Sequence, residues 1–76
     1  MLININLNLN KMPKQNDFVV YDGATNGYLI SWTGSQTYDN CTWGSSGSAY
    51  SYSTIELAQE AAGRIGHGTT GVPRPS

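Results

Sequence analysis

A small α+β domain is the fold class this sequence predicts: an antiparallel β-meander of three to four strands with one C-terminal helix packed on one face. Three observations predict it. Two compact β-prone runs, Phe18-Val19-Val20-Tyr21 and Tyr28-Leu29-Ile30-Ser31-Trp32-Thr33, flank a block of turn residues. Residues 53–65 combine a helix start signal with apolar residues at helical spacing. Eight aromatic residues in a chain of 76 supply bulk for a core where aliphatic residues are few.

Taken in order, residues 2–10 alternate apolar and polar, with Ile3, Ile5, Leu7 and Leu9 on one face and four asparagines on the other. This reads as an edge or terminal strand, or as a leader ahead of Met12, so that residues 1–16 are an N-terminal strand or leader plus connector. Residues 17–66 form the folded domain. In it, Asp22-Gly23-Ala24-Thr25-Asn26-Gly27 turns the first β-prone run into the second, making a hairpin. Gly34-Ser35 then leads into a weaker strand from Thr37 to Trp43. Residues 44–48, Gly-Ser-Ser-Gly-Ser, are a loop by composition, and Ala49 to Tyr52 is a last short strand.

The helix is the best-marked element. Ser53-Thr54-Ile55-Glu56 fits a capping box with Ser53 as the cap, and Ile55, Ala58, Ala61, Ala62 and Ile65 fall on one face, with Leu57 at its margin. Glu60 and Arg64 form a favourable i,i+4 pair, and Gly66 is positioned as the C-terminal cap. The remainder, residues 67–76, is rich in Gly and Pro and reads as a flexible tail.

Composition narrows the function classes. Charged residues make up 12% of the chain, and its four cations, Lys11, Lys14, Arg64 and Arg74, are scattered rather than clustered. Binding to nucleic acid is therefore not expected. No run approaches the length of a membrane span, and the N-terminus lacks the pattern of a signal peptide, so no membrane association and a cytoplasmic location are expected. A lone cysteine, Cys41, makes no intramolecular disulfide. The spacing Gly66-His67-Gly68-Thr69-Thr70-Gly71 matches G-x-G-x-x-G, but it follows a helix where a dinucleotide site must open one. Cys41 with His67, and the aspartates 17, 22 and 39, are likewise too few or too loosely placed for a nucleophilic dyad, a metal centre or a paired-carboxylate site. No enzyme activity, cofactor or metal is expected.

The aromatic residues remain. One helix shields one face of a sheet, so rings on the other face are open to a partner. Tyr28, Trp32 and Trp43 are the candidate binding residues on this ground. The expected function is a small non-enzymatic protein-interaction module, binding a protein partner or self-associating, with a carbohydrate-binding module using aromatic platforms as the alternative. Coplanar exposed rings would favour sugar and a mixed apolar patch would favour protein. In pattern, residues 17–66 resemble small bacterial and phage proteins that make a β-meander followed by a capped helix, which implies a phage-type accessory protein as one form of the interaction reading.

Overall fold

A computed structural model describes residues 16–75, and the strand expected over residues 2–10 lies outside them. β1 (Phe18–Asp22), β2 (Gly27–Trp32), β3 (Cys41–Gly44), α1 (Ile55–Ile65) and β4 (Thr70–Pro73) follow in chain order, with 3-10 turns at Tyr38–Asn40 and Ser46–Ser48. The strands form one antiparallel sheet in the order β3-β2-β1-β4. The first three are a meander, and α1 returns the chain to the far side of β1.

The hairpin forms as its turn residues predict, with Tyr21 opposite Tyr28 and Asp22 opposite Gly27. Asp22 organises the turn: its carboxylate accepts from the amides of Ala24 and Thr25 and, at 2.8 Å, from the Thr25 hydroxyl. Asn26 takes the left-handed conformation at φ 54°, which Asn tolerates better than other side chains.

Beyond this end β1 and β2 separate. A β-bulge between Leu29 and Ser31 re-aims β2, and the segment Tyr50–Tyr52 enters the gap. The Tyr50 amide donates to the Leu29 carbonyl at 2.8 Å, while Phe18 and Tyr52 exchange both backbone bonds at 2.9 and 2.7 Å. The short strand expected over Ala49–Tyr52 is thus an insertion that bridges two strands through a single residue pair. The strand expected from Thr37 starts only at Cys41. Asn40 donates its side-chain amide to Ser35 O at 2.8 Å and its backbone amide to Thr37 O at 3.0 Å, and such local bonds draw Asp and Asn residues away from a ladder.

Helix α1 lies over β4 and β1. It buries Ala58, Ala61, Ala62 and Ile65, which join Val20 and Leu29 in the core. Small side chains bring the helix close, and at Gly71 no side chain fits: a Cβ there would lie 2.8 Å from the Ala58 Cβ and 2.8 Å from the Gln59 amide nitrogen. Gln59 grips the same glycine, donating to its carbonyl at 3.2 Å and accepting its amide at 3.1 Å. It covers the sheet edge there as a partner strand would. The helix cap is Thr54, whose hydroxyl accepts the Leu57 amide at 3.1 Å. Ser53 and Thr54 offer two hydroxyls one residue apart, and the extended backbone at Thr54 selects the second, which leaves Glu56 outside the capping-box position. Arg64 donates to the Gln36 side chain. Gly66 ends the helix at φ 74°, its amide bonded to Ala62 O at 2.8 Å.

The flexible tail expected over residues 67–76 is, as far as residue 75, part of the fold. β4 pairs with β1 from Phe18–Pro73 to Tyr21–Thr70, and the next residue, Arg74, is a clamp. Its amide donates to Asp17 O, its Nε forms an ion pair with Asp17 Oδ2 at 2.8 Å, and its Nη1 and Nη2 donate to the carbonyls of Ser46 and Ala49. Ser51 adds a bond from its hydroxyl to Asp17 Oδ1 at 2.7 Å. The glycines and prolines that suggest disorder serve as a cap at Gly66, a close contact at Gly71, and an edge position at Pro73 where no amide is left open.

Candidate functional site

The sheet places the three expected binding residues at three separate sites. Tyr28 lies opposite Tyr21 and Gly44, with the Tyr21 ring 5.1 Å away, on the face turned from the helix. Trp43 lies opposite Leu29, and Trp32 opposite Cys41, which puts both indoles on the helix side, half-buried against the core. The expectation that a tryptophan faces away from the helix is therefore corrected. The physical reason is lateral: the helix covers β4 and β1, and Trp32, Tyr38 and Trp43 fill the same layer above β2 and β3.

Trp32 nevertheless reaches the surface. Its ring meets Tyr50 edge to face, centroids 5.0 Å apart at 71°, and Tyr50 meets Tyr52 at 5.0 Å and 65°. Ser31, Trp32 and Tyr50 line a shallow open cleft of ≈ 210 Å³. Tyr50 is 46% exposed, one of two large apolar residues so open among the described residues, with Leu57 at 44%. The row exists because the Tyr50–Tyr52 insertion lies beside the end of β2. Behind it, the Tyr52 hydroxyl accepts from Gln36 at 2.8 Å, and the Gln36 carbonyl oxygen accepts from Arg64 at 2.8 and 3.1 Å. Burial pushes the Tyr52 hydroxyl pKa up despite that bond from Gln36.

A second cluster lies deeper. Asp22 is fully buried, and besides its turn bonds its Oδ2 accepts the Tyr38 hydroxyl at 2.6 Å. The Tyr38 ring stacks on His67 at 4.2 Å and packs against Trp43 at 5.4 Å. Burial alone would raise the Asp22 pKa, but the bonds from Tyr38, Thr25 and the Ala24 and Thr25 amides outweigh it and hold the carboxyl below its ordinary range. The same bond raises the Tyr38 hydroxyl. Asp22 accepts four hydrogen bonds, three of them on Oδ2, which tie the turn to Tyr38, and the Tyr38 ring in turn reaches the loop after α1 by stacking on His67.

Cys41 and His67, weighed from sequence as a dyad, take part in different contacts. The Cys41 thiol faces Thr37 O at 3.1 Å, with its pKa raised by burial, and His67 stacks on Tyr38. Asp17, Asp22 and Asp39 likewise do not form a carboxylate pair: Asp17 belongs to the Arg74 clamp and Asp22 to the turn. Among the described residues no three His, Cys, Asp or Glu side chains gather as metal ligands, and no helix is long and apolar enough to cross a membrane. Tyr50 is the functional candidate that sequence reasoning left out. Its spacing from Tyr52 is visible in the sequence, but its contact with Trp32 depends on the insertion between β1 and β2. Comparison with known proteins finds no matching family model, curated protein or solved structure, so the reading of the site rests on its geometry.

Proposed function

We propose that this protein is a non-enzymatic interaction module that binds a protein partner through the cleft beside Trp32 and Tyr50. The observation that carries the reading is the angle between the rings. At 71° and 65°, Trp32, Tyr50 and Tyr52 present a stepped apolar surface, which suits an aliphatic or aromatic side chain inserted at the step better than the flat stacking platform a sugar ring needs. Tryptophan and tyrosine are also the side chains most often decisive at protein interfaces. The four hydrogen bonds that Asp22 accepts from its own turn and from Tyr38 support a structural use of this buried carboxylate.

The test is selection of binders from a random peptide display library on the native chain, in parallel with a glycan array. Peptides with apolar anchors that lose binding to the Tyr50→Ser chain are expected. Peptides indifferent to Tyr50→Ser would overturn the cleft as the site, and glycan retention without peptide binders would transfer the reading to carbohydrate.

A further inference from the structure

The turn between β1 and β2 holds an adjacent Asn26 and Gly27. An asparagine followed by glycine is the dipeptide most open to attack by the backbone nitrogen on the side-chain amide, because the glycine has no side chain to shield that nitrogen. The fold fixes both residues. Asn26 sits at φ 54°, a conformation that Asn tolerates and most side chains do not. A Cβ on Gly27 would lie 3.2 Å from Thr25 Oγ1 and 3.3 Å from Trp43 Cβ. Asn26 is exposed to water, and one contact sets it apart: the Tyr21 hydroxyl donates to its Oδ1 at 2.7 Å. A donor thus already stands on the oxygen where negative charge collects during such an attack. Asn40 provides the contrast, since Cys41 follows it and its side-chain amide donates to Ser35 O at 2.8 Å.

We propose that Asn26 is a self-modification site, deamidated in the folded protein with the Tyr21 hydroxyl stabilising the developing charge. The Gly27 nitrogen gives up its proton and bonds to Asn26 Cγ, while charge gathers on Oδ1 under the Tyr21 hydroxyl. The Cγ–Nδ2 bond then breaks, ammonia leaves with the proton, and a cyclic succinimide remains. Water opens the ring. Cleavage at Cγ leaves an aspartyl linkage, and cleavage at the main-chain carbonyl leaves an isoaspartyl linkage. The balance is one water consumed and one ammonia released, with no oxidation or reduction. The isoaspartyl product adds a carbon to the main chain between positions 26 and 27, where Asp22 pairs with Gly27 and Tyr21 with Tyr28. It therefore disturbs the turn that holds Asp22, and the 2.6 Å bond from Tyr38 to that carboxylate carries the change into the buried cluster.

The experiment uses the full chain, held at mildly alkaline pH in buffer and, in parallel, in urea. Position 26 is followed by peptide mapping with mass spectrometry and by isoaspartyl methyltransferase labelling. Conversion in buffer that keeps pace with conversion in urea is expected, with Asn40 unchanged in buffer. Tyr21→Phe is expected to slow conversion several-fold in buffer and to leave the rate in urea unaltered, a split that loss of structure does not produce. Conversion of the unaltered chain slower in buffer than in urea means that the fold shields the pair, and overturns the proposal without recourse to any variant. Equal rates for Tyr21→Phe and the unaltered chain in buffer, with tryptophan emission showing both folded, leave the lability to the dipeptide alone and overturn the role of the hydroxyl. The isolated isoaspartyl form is expected to melt below the unconverted chain, and equal melting overturns the link from the turn to Asp22.

Discussion

Replacing Arg74 by alanine tests the least expected feature of the fold, a tail residue that holds three parts of the chain together. The guanidinium serves one carboxylate and two carbonyls: Asp17 Oδ2 at 2.8 Å, Ala49 O at 2.9 Å and Ser46 O. A buried hydrogen bond to a charged group contributes about 1.5–3 kcal/mol, and a solvent-exposed ion pair about 0.5–1 kcal/mol. Arg74 and Asp17 side chains keep 21% and 17% exposure, so water recovers part of each loss, and the expected cost is about 3 kcal/mol. A domain of this size holds only about 3–5 kcal/mol in total, so Arg74→Ala should sit close to its own unfolding midpoint. Arg74→Lys retains charge but not the fork that reaches three acceptors, and should lose about 1–2 kcal/mol. Urea titration followed by tryptophan emission measures both. With a slope of about 1 kcal/mol per molar urea, the alanine midpoint should fall by roughly 2–3 M without a change of slope. A midpoint within about 0.5 M of the parent would mean that residues 73–75 contribute nothing, and the argument for the clamp would be refuted.

Three further outcomes follow from the packing. Gly71→Ala should cost about 2–3 kcal/mol in a thermal or urea melt, because the new methyl meets helix backbone that cannot step aside; a neutral result would show that α1 does not lie against β4. Thr54→Ala should cost about 1 kcal/mol and Ser53→Ala only a few tenths, and the reverse order would move the cap back to Ser53. Since the folded pKa of Asp22 lies below its unfolded value, its stabilisation is complete above about pH 4 and is lost as pH falls further. The raised Tyr38 pKa works in the opposite direction: its stabilisation holds below about pH 10 and fades above it. Melting temperatures from pH 2 to 11 should therefore form a plateau with two falling limbs, and Asp22→Asn should lower the plateau and flatten the acid limb.

What was legible in the sequence was what is local. The turn at Asp22–Gly27 is made by residues that bond within it, and the helix carries its own apolar face and Gly66 cap, so both can be read without the rest of the chain. The features that went unread are long-range. Val72 and Pro73 look like linker residues until β1 stands opposite them. Arg74 looks like an isolated surface charge until Asp17, Ser46 and Ala49 are brought to it from 57, 28 and 25 residues away. At the site, Tyr28, Trp32 and Trp43 share an aromatic character but not a surface, because the bulge at Leu29–Ser31 and the lateral position of α1 decide which ring faces where. No periodicity records either. Trp32 occupies the helix side rather than the face that sheet alternation suggests, and Tyr50 comes within reach of it only through the split in the sheet.

The pairing of β1 with β4 also bears on when the protein can fold. β1 is an interior strand whose two neighbours both follow it in the chain, β2 at once and β4 only after α1. During synthesis the hairpin and β3 emerge first, leaving one flank of β1 without its strand and the Val20 side without its helix. Such an intermediate exposes a hydrogen-bonding edge in a segment prone to pair with other chains. Sheet closure, helix docking and the Arg74 clamp then become available together, once residues 70–74 have cleared the ribosome. Completion of the sheet therefore waits on residues 70–74, and until they arrive β1 keeps one flank open.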